Sequence, residues 1–109
     1  MHPAQADLSL ANILYALGDP MRLKVVEQLA TAHEGVSCQY IVMGEGVAKS
    51  TQSHHFKVLR EAGILQMVPQ GRRLLVSLRK EDLETRFPGL LDSVLHNYQR
   101  QFAQVSPGK

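Results

Sequence analysis

Ser50, Ser53, His54 and Lys57 stand out in this chain for their residue types and their spacing. At 3.6 residues per turn they share one side of a helix, while Gln52, His55, Phe56 and Leu59 share the other. Thr51 lies at the edge of the first face. That face is short, polar and free of acids over two turns, and it carries one positive charge. Small side chains permit close approach, and their donors and acceptors suit base edges and phosphates in a DNA major groove. Gly63 ends the helix, because glycine tolerates the left-handed conformation of a C-terminal cap.

Other chemistries find less support. His54 and His55 are adjacent and so point to different sides of one helix, which rules them out as a metal-binding pair. His55 falls on the inner side and reads as a buried, hydrogen-bonded packing histidine. A single cysteine, Cys38, cannot close an intramolecular disulfide, which fits a reducing cytoplasm. A redox role for Cys38 would need a neighbouring base, and none is evident, so it reads as a half-buried small apolar residue. No glycine-rich phosphate loop and no suggestively paired carboxylates are present. An enzyme and a bound cofactor are therefore not expected.

Charge distribution strengthens the reading of the polar face. The net charge is only +2. Between positions 49 and 80, however, Lys49, Lys57, Arg60, Arg72, Arg73, Arg79 and Lys80 stand against one acid, Glu61. The other nine acids lie outside this segment with five bases. A basic segment on a mildly acidic body suggests a polyanionic partner.

The elements that must position these residues follow from periodicity and turn residues. Leu10, Ile13, Leu14 and Leu17 mark a first helix, capped by Asp7 or Ser9 and ended by Gly18. Asp19-Pro20 opens a second helix running to about Ala32. His33-Glu34-Gly35 forms a turn, and Val36 forms a very short strand. Ser37 caps a short helix carrying Tyr40, Ile41 and Met43. The helix described above occupies about 49–62. Ile64–Val68 and Leu74–Leu78 are β-compatible runs joined by Pro69-Gln70-Gly71-Arg72-Arg73, which gives a hairpin over about 64–79 with two exposed arginines at its tip. A short helical turn, Glu81 to Arg86, precedes Pro88, and a last helix covers about 88–105 with Val105 near its end.

This order describes one mainly α domain, residues 1–109, a winged helix-turn-helix with a small β-hairpin. The first and last helices carry more apolar residues than a three-helix core requires. Leu10, Ile13 and Leu14, with Leu91, Val94, Leu95, Tyr98 and Phe102, are the expected interface of a homodimer. No apolar run approaches the roughly 20 residues of a membrane span. Met1 to Leu10 does not have the pattern of a secretion signal, so the expected location is the cytoplasm.

Three segments resemble one family, the ArsR-type winged helix-turn-helix transcriptional regulators. They are Leu17-Gly18-Asp19-Pro20-Met21-Arg22-Leu23, the run Ser50 to Ile64, and Gly71-Arg72-Arg73 with a strand behind it. The resemblance spans roughly Leu10 to Leu95. It implies a homodimer, a palindromic operator in double-stranded DNA, and repression relieved by an effector. Two departures matter. Gln52 stands where the family has an aliphatic residue, leaving either a partly open site or a side chain that reaches DNA. Ala48 stands where a serine often caps the helix, so Ser50 is expected to take that role.

The family's metal sites fare poorly here. Its paired thiolates would fall at Ser37 and Gln39, on either side of Cys38. On the last helix only Asp92 and His96 remain of a longer ligand set. Neither supplies enough donors, and no metal is expected. The DNA contacts expected are Ser50, Thr51, Gln52, Ser53, His54, Lys57, Arg72 and Arg73, with the two arginines at the minor groove or its phosphates. The expected function is a homodimeric repressor answering an unidentified non-metal signal, a small molecule or a redox change. The competing readings are a metal-responsive repressor and a winged-helix protein-interaction module that does not bind DNA.

Overall fold

Each of the first two helices starts where a side chain can replace missing backbone partners. The computed structural model describes residues 2–32 and 34–103. Helix α1, Leu10–Leu17, is capped by Ser9, whose hydroxyl accepts from the Asn12 N–H at 3.3 Å, and it ends at Gly18. Helix α2, Pro20–Ala30, is capped by the Asp19 carboxylate, which accepts from the N–H groups of Met21 and Arg22 at 2.9 and 3.2 Å. It stops two residues short of the expected end, with Thr31 as its C-cap.

The next segment departs from expectation. Val36–Ser37 forms a two-residue strand, β1, and Cys38–Tyr40 makes only a 3₁₀ turn where a short α-helix was expected. Ser37 is buried within β1 and its side chain caps nothing. Ile41 and Met43 still reach the core, whereas Tyr40 is exposed.

Helix α3, Lys49–Glu61, carries the two-faced pattern. It closes with a glycine cap: the Ile64 N–H donates to the Leu59 carbonyl and the Gly63 N–H to the Arg60 carbonyl, both at 3.0 Å. Gly63 sits at φ +87, and a Cβ there would collide with Leu8, so no other residue fits without rearrangement.

Strands β2, Leu65–Gln70, and β3, Arg73–Leu78, form the hairpin, and β1 adds to its other side in the order β1-β3-β2. All pairing is antiparallel, with Val36 and Met67 both opposite Val76, and Gln70 opposite Arg73. The short strand expected at Val36 therefore joins the two of the hairpin in one three-stranded sheet. The connection is also tighter: Pro69, Gln70 and Arg73 belong to the strands, and only Gly71 and Arg72 form the turn. Gly71, at φ +61, is the glycine-first pattern that suits the twist of a two-residue hairpin.

Helices α4, Lys80–Arg86, and α5, Leu90–Ala103, complete the chain. Val105, expected at the end of the last helix, lies outside the described residues. Ile13, Val25, Val26, Leu29, Leu59, Ile64, Leu65 and Val76 are almost fully buried and join α1, α2, α3 and the sheet in one core. Among the described residues no helix is long and apolar enough to cross a membrane.

An N-terminal arm, not foreseen in the sequence, ties the base of the hairpin to α4. The Met67 N–H donates to His2 Nε2 at 3.0 Å, Arg79 Nη1 to the Pro3 carbonyl at 2.7 Å, and Gln5 Nε2 to Asp82 Oδ1 at 2.8 Å. Leu8 anchors the arm in the core.

Candidate nucleic-acid interface

The inner side of α3 fixes the direction of its outer side. Phe56 and Leu59 are buried against α1, α2 and β2. His55 is buried as expected, at 8% exposure, and its partner is Arg22, itself only 7% exposed. Arg22 Nη1 donates to His55 Nδ1 at 3.1 Å, which leaves the ring proton on Nε2. Arg22 Nε donates to the Ala16 carbonyl at 2.6 Å and Nη2 to the Tyr15 carbonyl at 3.3 Å. One guanidinium thus satisfies the open C-terminal end of α1 while holding α3. Asp19 Oδ2 stands 3.9 Å from His55 Nδ1, but that nitrogen already accepts from Arg22, so the shorter contact defines the pair.

A second device holds the loop that leads into α3. The Gln28 side chain accepts from the Val42 N–H at 2.9 Å and donates to the Val42 carbonyl at 2.6 Å, pairing with that residue as a neighbouring strand would. Neither Arg22 nor Gln28 was singled out from the sequence. Their partners lie on other elements, and only the Leu17–Leu23 segment pointed near Arg22.

The outer side of α3 presents Ser50, Thr51, Ser53, His54 and Lys57, all exposed. Gln52 is half-buried and turns back, donating from Nε2 to the Val47 carbonyl at 2.9 Å. The helix begins at Lys49 after Ala48, and no side chain caps it. Ser50 is therefore a first-turn residue and not the cap, which corrects the expectation. With no side-chain cap, the first-turn N–H groups and the positive end of the helix dipole face outward.

Arg72 and Arg73 are both exposed at the end of the hairpin, and Arg73 Nη2 donates to Gln70 Oε1 at 3.1 Å across the strand pair. The basic segment is smaller than its sequence count suggests. Arg79 is committed to Asp82, at 2.9 and 3.0 Å, and to Pro3. Lys80 Nζ donates to the Ala30 carbonyl at the end of α2, and Arg60 is half-buried. Lys49, Lys57, Arg72 and Arg73 remain exposed.

Residues expected at a dimer interface divide into two groups. Leu10, Leu14 and Phe102 are 45%, 49% and 60% exposed, and Leu91, Val94 and Tyr98 are half-buried. Tyr98 and Phe102 stack edge to face at 5.0 Å. Ile13 and Leu95 instead belong to the protomer's own core. Asp92 and His96 are exposed on α5, and among the described residues no three metal-ligating side chains converge. Cys38 is half-buried.

With this geometry, likeness to known proteins is informative. A family model described as a helix-turn-helix domain matches residues 17–68. YceK of Bacillus subtilis (strain 168), an uncharacterized HTH-type transcriptional regulator, is 36% identical over 84 residues, covering 77% of this chain and 84% of YceK. The structure of the transcriptional repressor BigR from Xylella fastidiosa superimposes with a TM-score of 0.56 at 27% identity, over 72% of this chain and 85% of BigR. The homodimeric winged helix-turn-helix DNA-binding domain of Mb0332 from Mycobacterium bovis, described as a possible ArsR-family regulator, gives 0.62 at 22% identity over 84% and 82%. At that identity the last similarity concerns the fold.

Proposed function

The chain belongs to the helix-turn-helix transcriptional regulators, with the fold of their ArsR-type winged members, and from that premise we propose that it is a cytoplasmic homodimeric repressor that reads a palindromic operator. It is a transcriptional regulator and not an enzyme. The observation that carries the finer reading is the outer side of α3: five exposed polar or basic residues and an uncapped N-terminus on a helix whose other side is locked into the core. Ser53 and His54 read base edges, and Ser50, Thr51 and Lys57 hold phosphates. Arg72 and Arg73 reach the flanking backbone or the minor groove. Gln52 acts through the Val47 carbonyl and orients the start of the helix, with DNA within reach only if that bond opens.

Dimerisation and repression are supported by relatives. BigR is a repressor and the Mb0332 domain is a homodimer. Leu10, Leu14 and Phe102 supply uncovered apolar surface here for the same arrangement. The releasing signal is a small molecule or a chemical change rather than a metal.

Fluorescence anisotropy with DNA from upstream of the protein's own gene tests this reading. We expect salt-sensitive binding that prefers this DNA over a scrambled duplex, and a His54→Ala or Ser53→Ala protein that loses about 1–3 kcal/mol of that preference. Equal affinity for both duplexes in the unsubstituted protein would refute sequence-specific reading.

A further inference from the structure

Behind the outer side of α3, a cleft of about 440 Å³ opens between that helix, the Cys38–Tyr40 turn and the hairpin. Its apolar lining comes from Phe56, Met67 and Leu74, and its charge from Lys49, Lys57 and Arg60. No carboxylate lines it. Four other cavities of this molecule each include at least one acid: Glu34 in two of them, Glu61 in a third, and Glu84 with Asp92 in the fourth. An apolar wall with three cations and no acid fits an amphipathic organic anion, whose ring or short chain fills the wall while its carboxylate meets the cations.

Arg60 gives an independent reason. Its side chain is 29% exposed, its Nε is buried with no hydrogen-bond partner among the described residues, and its ion pair with Glu61 is loose at 3.9 Å. A half-buried guanidinium so poorly satisfied gains more from an anion than a solvated one does. Lys57 and Ser53 line the cleft and also stand on the exposed side of α3. A carboxylate that engages Lys57 removes it from a DNA phosphate.

We propose that this cleft binds a small amphipathic organic carboxylate and that its occupation competes with DNA. The competitive part rests on the reading of α3 given above; the binding part does not. By linkage, a ligand that weakens DNA binding is itself bound more weakly by the DNA complex.

Isothermal titration of the full chain with 1-naphthoate, without DNA, tests the cleft, and 1-naphthalenemethanol is the neutral comparison. Naphthoate should bind one site per chain, and the alcohol about tenfold more weakly or not at all, because it lacks the charge. Lys49→Gln combined with Arg60→Gln should weaken naphthoate about tenfold. Leu74→Trp, which fills the apolar wall, should abolish binding while circular dichroism stays native. Equal binding of the alcohol, indifference to the Lys49 and Arg60 changes, or no heat up to about 5 mM naphthoate would overturn the site. In the anisotropy assay, naphthoate should raise the apparent DNA Kd of the unsubstituted protein in proportion to site occupancy. Naphthoate binding with unchanged DNA affinity would overturn the competition and leave the cleft standing. A protein that binds naphthoate but no DNA would refute the DNA reading alone.

Discussion

Arg22 does the most positioning work of any single residue, although it touches no outward surface of α3. A buried guanidinium is tolerated only when its donors are used, and here they meet two helix-terminal carbonyls and an imidazole. Arg22→Ala should therefore cost about 3 kcal/mol of unfolding free energy, since it strands the Ala16 carbonyl and His55 Nδ1 and leaves the Tyr15 carbonyl with only the Gly18 N–H. Urea denaturation followed by circular dichroism checks this, and a loss near zero would mean that water replaces the guanidinium. His55 was legible in the sequence because helical periodicity alone assigns it to the inner side. Arg22 was not, because its partner lies 33 positions away and no local pattern pairs them. Arg79 shows the same blindness in reverse. It counted toward a basic surface, whereas Asp82 and the Pro3 carbonyl hold it at the foot of the hairpin.

At the scale of elements, α1, α2, α3 and the hairpin were readable because each has a local cause: Ser9, Asp19-Pro20 and Gly63 at helix ends, and short β-compatible apolar runs on either side of Gly71. The Cys38–Tyr40 turn and the N-terminal arm were not. The first is too short for periodicity to tell a 3₁₀ turn from a helix. The second is held by contacts with residues more than sixty positions away. The arm also makes the fold sensitive to acid. His2 accepts the Met67 N–H, and burial, followed by neighbouring positive charges including Arg60 and Arg79, lowers its pKa below the ordinary 6.5. The Gln5 hydrogen bond, followed by Arg79, holds the Asp82 carboxyl below its ordinary range. Both groups bind protons less readily in the folded chain, so their stabilisation is complete above the ordinary values and is lost as pH falls below these and through the lowered folded values. The histidine contribution goes first, below 6.5, and the carboxylate contribution follows in the acid range. Protection of the Met67 amide against hydrogen exchange should thus fall as pH drops from 7 toward 5 in the unsubstituted chain. A His2→Gln chain should lack that step. Equal pH dependence in both would detach the arm's stability from His2.

For the whole molecule, the two elements proposed to face DNA and the uncovered apolar residues of α1 and α5 fit one proposed arrangement, a dimer on a two-fold site. A single protomer offers four exposed cations across α3 and the hairpin, too few for tight and selective binding, and a two-fold partner doubles them. Leu14→Glu places a charge on the uncovered side of α1 without entering the core. It should shift the protein to a monomer in sedimentation analysis and weaken operator binding about a hundredfold, because the second half-site is lost. An unchanged dimer would place the interface elsewhere. The most direct test of the central claim, that α3 and the hairpin hold DNA through Lys57, Arg72 and Arg73, is the salt dependence of binding. The slope of log Kd against log salt, measured by anisotropy, should be steep for the unsubstituted protein. It should fall by about 1 for each phosphate contact removed per bound chain, in Lys57→Ala and again in the Arg72→Ala, Arg73→Ala pair. Slopes indifferent to all three substitutions would contradict it.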